Sequence, residues 1–416
     1  MKNLKVFILL FLSSVWAYSQ DLNLTQNIVV PIDYSDITKG STIISYELGA
    51  EYSEDKPTVF IITDAQQFYV RKGMISSLQA TLFDSTFNVV GIIGRNNNQD
   101  LIELVKDNLG NIDWKKAYGI FSWPQYVNDI NEVRKMVVGS SGQIYLYGQS
   151  GGGYLVHQFL SLYGQYVTKA FTAAAVNYAL DAEFGINHDK FWDEVSVQNP
   201  NFDEKFKDLI SNNSLGRDLL AMLFQRQHFF ESDLKIAREQ LLNTLLLNNK
   251  TEIDQYLEKY QISLILKLYS SDEGIPIRVR LFEFIYPLLE DFQIEPYRLQ
   301  PDKENLYFST IPLVELFYKN QIQIREMCFK LLHQLETEVF ILGGRFDHTA
   351  DYRSQISLAS HYPSHLSMIV SDNHTFSNLK KEGIYQQLLI YFFKAKNLEL
   401  IRNIINCEFG KYKWRE

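Results

Sequence analysis

Residues 144–153 read Ile-Tyr-Leu-Tyr-Gly-Gln-Ser-Gly-Gly-Gly. Gln143 to Tyr147 has the apolar character of a buried strand, and Gly151 to Tyr163 has helical spacing. Between them lies Gly-x-Ser-x-Gly, so the chain must pass from strand to helix within a few residues. A serine on so sharp a turn takes unusual backbone angles and stands clear of the sheet edge. The positions two before and two after it come close to neighbouring backbone and must be small, and Gly148 and Gly152 meet that need. The N-terminus of the following helix directs N–H groups and a positive dipole at the serine, with the Gly151 N–H as the first donor to a developing oxyanion. A phosphate-binding loop would need Gly-Lys-Ser or Gly-Lys-Thr, which is missing here. The pentapeptide alone is common, and a glycine-rich turn without catalysis is the plain alternative.

The rest of the chain fits a mostly parallel sheet. Ile28 to Pro31 and Thr42 to Leu48 open as strands. Thr58 to Ile62 is β-branched and aromatic throughout, the mark of burial on both faces, and Asn88 to Ile93 resembles it. Pro124 to Val138 is helical, and Lys169 to Val176 is a further strand. From Asn177 to about Leu335 the spacing turns helical, as in Leu234 to Leu247 and Glu252 to Tyr260. Only Ile277 to Leu281 suggests a strand in that block. The β/α rhythm resumes with strands at Glu338 to Leu342 and Leu366 to Val370 and a helix at Ile384 to Phe393. These alternations predict an α/β fold, residues 20–176 and 336–416, interrupted by a helical cap, residues 177–335. At 416 residues, 46% of them hydrophobic, the chain can bury a large core in more than one compact unit.

The formal net charge of -9 argues against a nucleic-acid partner. Lys2 and Lys5 precede an apolar run from Val6 to Ala17, and Ala17-Tyr18-Ser19 fits a cleavage site. Residues 1–19 are therefore expected to be a signal peptide, with the mature chain exported to a periplasm or secreted. The run is short of the roughly 20 apolar residues that span a bilayer, and no later segment is long enough, so no stable membrane insertion is expected after signal removal. An oxidising compartment would permit Cys328 and Cys407 to pair. Neither cysteine has metal-ligand spacing to histidine or acid, so no metal site is expected.

A serine hydroxyl needs a base, and the base an orienting acid. Beyond strand Glu338 to Leu342 comes Gly343-Gly344-Arg345-Phe346-Asp347. Beyond strand Leu366 to Val370 comes Ser371-Asp372-Asn373-His374. Both sequences fall where loops gather at the carboxyl edge of such a sheet. Asp347 and His374 are the favoured acid and base, with Asp351 and Asp372 as rival acids and His348 as the rival base. His157 falls inside the helix after Ser150, His188 and His228 in the helical block, and His333, His361 and His365 ahead of strands rather than after them.

These residues resemble the prolyl aminopeptidase and tripeptidyl aminopeptidase branch of the α/β-hydrolases over nearly the whole mature chain. Val30-Pro31-Ile32-Asp33-Tyr34 is similar to that branch's Val-Pro-Leu-Asp-Tyr opening. Asp129 and Arg134 resemble its Asp-x-x-x-x-Arg helix, and Gly148-Gln149-Ser150-Gly151-Gly152 its nucleophile turn. Gly-x-x-Asp at Asp347 and Asn-His-Thr-Phe at His374 match its acid and base loops. The resemblance implies an α/β-hydrolase fold with about eight strands, catalytic roles for Ser150, Asp347 and His374, no cofactor, and a cap that selects substrate. It also implies a short peptide substrate with a free N-terminus, whose ammonium would meet cap carboxylates. Glu304, in Glu304-Asn305-Leu306-Tyr307-Phe308, and Glu283 are the candidates, against a solvated helix-start role for Glu304.

Two segments depart from the pattern. Where the family carries His-Gly-Gly-Pro-Gly, this chain has Thr63-Asp64-Ala65-Gln66-Gln67, leaving an Asp64 or Ala65 N–H as the second oxyanion donor. A carboxylate facing the site would repel that charge. The family's Asp-x-Arg-Gly becomes Ile93-Gly94-Arg95-Asn96. An esterase or amidase on small acyl substrates, or a catalytically silent binding protein of the same fold, therefore stands beside the peptidase.

Overall fold

The computed structural model describes residues 24–187, 189–196, 201–212, 215–231 and 233–414. The expected signal peptide, its cleavage site and His188 lie outside the described residues.

Eight strands form one sheet: β1 (Thr25–Pro31), β2 (Ser41–Leu48), β3 (Thr58–Ile62), β4 (Asn88–Ile93), β5 (Ile144–Gln149), β6 (Val167–Ala173), β7 (Glu338–Gly344) and β8 (His365–Val370). Their order across the sheet is β1-β2-β4-β3-β5-β6-β7-β8. β2 pairs antiparallel with both of its neighbours, β1 and β4, and the remaining neighbours are parallel. The sequence pattern reflects this difference. All five residues of β3 are buried, as a central parallel strand covered on both faces requires, whereas β1 on the antiparallel edge leaves Val29 exposed. The expected α/β class with a mostly parallel sheet of eight strands is what the chain adopts.

The helix that precedes β5, Trp123–Val138, is anchored by a buried hub. Arg95 grips Asp129 with two bonds, Nε to Oδ2 at 2.6 Å and Nη2 to Oδ1 at 2.7 Å. Its Nη1 donates to Ile120 O at 2.8 Å and Ile32 O at 3.1 Å, while Tyr34 donates its hydroxyl to Asp129 at 3.0 Å. The opening segment, the end of β4 and the helix are thus fixed together by one guanidinium, whose planar fork suits several acceptors at once. The substituted Ile93-Gly94-Arg95-Asn96 stretch has this structural job.

Between β6 and β7 the described residues contain only helices and turns. Ile277 to Leu281, the one strand suggested there, lies inside the helix Gly274–Ile285. That helix is buried almost all round, with Arg278 its only partly exposed residue, so no 3.6-residue polar face marks it in the sequence. Pro276 falls in its first turn, where the missing N–H costs nothing. The helical block is built in two parts. Phe191, Phe206, Phe224, Leu241 and Tyr260 belong to a separate core, whereas Ile275, Phe282, Leu313 and Leu332 pack into the core of the sheet. Cys328 and Cys407 are exposed and unpaired.

Candidate active site

The strand β5 ends at Gln149, and Ser150 begins the helix Ser150–Tyr163 with φ at 57°. Few non-glycine residues hold that left-handed angle outside functional or tightly constrained sites. The flanking glycines have the steric role inferred for them. A Cβ on Gly148 would stand 2.6 Å from Gly152 O, and one on Gly152 would collide with Ile62 O and the Gln67 side chain. Ser150 remains partly exposed.

His374 Nε2 lies 2.8 Å from Ser150 Oγ, and His374 Nδ1 lies 2.8 Å from Asp347 Oδ2. Asp347 is 1% exposed, and its other oxygen accepts from Thr349 N at 2.8 Å and Ala350 N at 2.9 Å. The carboxylate is therefore fixed on both sides before it meets the imidazole. The His374 loop is held in turn by Gln149, which donates Nε2 to His374 O at 3.1 Å while its Oε1 accepts from Lys380 at 3.0 Å. An imidazole so placed can take a proton from the hydroxyl at one nitrogen while a carboxylate holds the other.

The rival groups are occupied elsewhere. Asp372 accepts from the Asn378 and Leu379 amides, each at 3.0 Å, at the start of the following helix. Asp351 is paired with Lys190 at 2.8 Å and with Arg353, which hold its carboxyl down at about 2 despite burial. His348 is buried with its ring 5.7 Å from that of His228, and burial lowers its pKa to about 3. His157 bonds Tyr362 at 2.6 Å and Thr172 at 3.0 Å inside the core.

The loop after β3 differs from the expectation in one respect. The Asp64 N–H is already donated to Gln67 Oε1 at 3.2 Å, so of the two amides offered by the sequence only that of Ala65 is left to act beside Gly151. Gly151, second residue of its helix, has an N–H without an intrahelical partner. Gln67 also donates Nε2 to Gln149 O at 2.7 Å, tying the loop to the nucleophile strand. The Asp64 carboxylate is 2% exposed and takes the space a Gly151 Cβ would need. Burial raises its pKa, against the opposing pull of Arg280, whose Nε is 3.4 Å from Asp64 Oδ2.

Both cap carboxylates are engaged. Glu304 is fully buried, not solvated at a helix start, and Arg217 clasps it with bonds of 2.6 Å and 2.7 Å. Its Oε1 also accepts from Gln300 N at 2.9 Å. Glu283 accepts from Trp123 N at 2.7 Å and from Arg280 Nη1 at 2.9 Å. Burial pushes its pKa up to about 7 even with that guanidinium beside it. The partner of Glu283 has a sequence signal, because Arg280 stands three residues earlier on the same helix, a spacing that brings side chains together. The bonds that Gln67 and Gln149 make, and the approach of Phe229 to His374, had no signal in the sequence. The Phe229 ring meets His374 edge-on at 5.9 Å, and Phe284 packs against Tyr154 and Tyr178 at 6.3 Å and 6.4 Å beside the nucleophile turn. Among the described residues no cluster of three or more His, Cys, Asp or Glu is placed to hold a metal, and no helix is long and apolar enough to cross a membrane.

No family model and no curated protein matches the chain. Among solved structures it is similar to an alpha/beta hydrolase enzyme from a Medee basin deep-sea metagenome library, with 13% identity, 86% of this chain and 96% of that one covered, and a TM-score of 0.42. It is similar to a bromoperoxidase from Bacillus anthracis, with 15% identity, coverage of 89% and 100%, and a TM-score of 0.42. A third is an esterase from Exiguobacterium antarcticum, with 12% identity, coverage of 84% and 96%, and a TM-score of 0.40.

Proposed function

We propose that this chain is a serine hydrolase acting on small esters or amides with an uncharged acyl group. The observation that carries the reading is the unbroken relay from Ser150 Oγ through both nitrogens of His374 to Asp347, each link 2.8 Å long. His374 takes the Ser150 proton as Oγ attacks the carbonyl carbon. The oxyanion is held at the Gly151 and Ala65 N–H groups, and His374 returns the proton to the leaving group. Water, deprotonated by His374, then attacks the acyl-enzyme; the released acid departs and Oγ regains its proton.

The aromatic surroundings of Phe229, Phe284, Tyr154 and Tyr178 favour an uncharged acyl group. An aminopeptidase would need a carboxylate in the cap for the substrate's ammonium. Glu283 and Glu304 each have an arginine instead, and breaking such a buried pair leaves a charge uncompensated. From the leader expected at residues 1–19 we further propose that this work is done outside the cytoplasm.

A fluorophosphonate probe tests the reading. Wild-type protein is expected to label and Ser150→Ala not to, with turnover of aryl esters falling about 10⁴–10⁶-fold in the variant. Hydrolysis of aryl esters faster than of aminoacyl-arylamides is expected. The reverse order would restore the aminopeptidase, and an unlabelled wild-type chain would point to a silent binding protein.

A further inference from the structure

The loop that would complete the oxyanion site carries an aspartate where an anion would be repelled, and the chain answers it with an arginine from far along the sequence. Arg280, in the helix Gly274–Ile285, is 1% exposed and makes three polar contacts at the nucleophile turn. Its Nη2 donates to Gly151 O at 3.2 Å, its Nη1 to Glu283 Oε2 at 2.9 Å, and its Nε faces Asp64 Oδ2 at 3.4 Å. The guanidinium lies over the Phe284 ring at 4.7 Å and the Tyr154 ring at 5.4 Å, so no water competes for it from those faces. Asp64 Oδ2 fills the place of a Gly151 Cβ, which puts it beside the N–H expected to receive the oxyanion. Two negative charges at such range, one of them on a buried carboxylate, repel strongly.

We propose that Arg280 is a positioning residue for the oxyanion site. Shared between Glu283 and Asp64, its charge offsets that of the Asp64 carboxylate while its fork fixes the Gly151 carbonyl, and so makes the glycine-free loop Thr63–Gln67 compatible with negative charge on the substrate. This rests on the serine-hydrolase reading above. A glycine-rich loop would need no such counter-charge. Lysine would supply the charge but not the fork that reaches Gly151, Glu283 and Asp64 together. Because Arg280 reaches the reacting atoms only through Asp64 and Gly151, its removal acts on kcat and leaves KM nearly unchanged.

The experiment compares labelling by an aryl fluorophosphonate, and kcat and KM on an aryl ester, in wild type, Arg280→Gln, Arg280→Lys and the double variant Arg280→Gln/Asp64→Asn. All rates are normalised to the folded fraction from thermal melts. Arg280→Gln keeps hydrogen-bonding atoms and loses the charge. It is expected to label about 10²-fold more slowly, with KM within about threefold of wild type. Arg280→Lys and the double variant are expected to return to within about tenfold of wild type. Equal rates per folded molecule in all four proteins would overturn the inference and leave the hydrolase standing, because Arg280 would then serve stability alone. A double variant as slow as Arg280→Gln would also overturn it. Should Arg280→Gln not fold, the double variant against wild type carries the same decision, since a folded double variant slowed by 10²-fold contradicts charge cancellation. A wild-type chain that never labels sinks the hydrolase reading and this inference together.

Discussion

The turn at Gly148–Gly152 and the loop at Thr63–Gln67 face each other across the same site, yet they are built on opposite plans. The turn is made by local sterics. Its glycines remove side chains that would strike Gly152 O and Ile62 O, and Ser150 takes a positive φ as a result. The loop has no glycine and is shaped by contacts brought from elsewhere: Gln67 on Gln149 O, and Arg280 on Asp64 from 216 residues away. A turn held by its own backbone is insensitive to distant change, whereas a loop held by a distant ion pair depends on every element that places the partner. One half of the site is therefore intrinsic to a ten-residue stretch, and the other is a property of how the helical block seats on the sheet.

The strongest way to break this contrast is to force the two plans into collision. Gly151→Ala would ordinarily favour a helix by about 1 kcal/mol. Here the new Cβ falls on the Asp64 carboxylate. Ester turnover is expected to drop about 10²–10³-fold as the Gly151 N–H is displaced. Combining it with Asp64→Ala is expected to recover most of that loss. Full activity in Gly151→Ala alone would show that the two segments do not constrain each other.

A smaller effect sharpens the contrast through pH. Burial holds the Glu283 carboxyl at about 7 in the folded chain, against a usual value near 4.5. Between those values the folded state binds the proton more tightly than the unfolded chain. The stability linked to this group is complete below about pH 4.5 and is lost as pH rises through 7, by about 3 kcal/mol at most. Urea unfolding of wild type and Glu283→Gln at pH 5 and pH 8 measures it. The difference between the two proteins should change over that interval, and parallel behaviour at both pH values would contradict the assignment.

The mildest change is Gln67→Ala. It removes the 2.7 Å bond to Gln149 O and the acceptor of the Asp64 N–H. Two ordinary hydrogen bonds are worth about 1–3 kcal/mol. A fall in kcat of about tenfold with little change in melting temperature is expected, since the loop loosens while the core is untouched. If melting temperature falls and kcat per folded molecule does not, the bond belongs to stability instead.

Several parts of this molecule are legible in its sequence. Thr58–Ile62 declared itself a central strand because burial on both faces leaves only apolar residues. Asp347 and His374 could be located because strand ends at one sheet edge deliver their loops to one place. Glu304 could not be read, because the Arg217 that buries it lies 87 residues away and a helix-start glutamate looks alike whether solvated or sealed. Ile277–Leu281 reads as a strand in the sequence but is helical for a related reason: a helix enclosed by protein on nearly every side has no polar stripe to announce its period.

The amino-acid order by itself determined the strand–turn–helix that presents Ser150, because that geometry depends on which neighbouring residues lack a Cβ. It also determined the alternation that makes a mostly parallel sheet. Tertiary structure alone decided that Asp64 lies beside Arg280, that Glu283 and Glu304 are paired with arginines, and that the Asp64 amide is taken by Gln67 while that of Ala65 is left. Sterics act over a few bonds and are written in adjacent letters. Charge pairing acts through space, and its partners are chosen only when the chain has closed on itself.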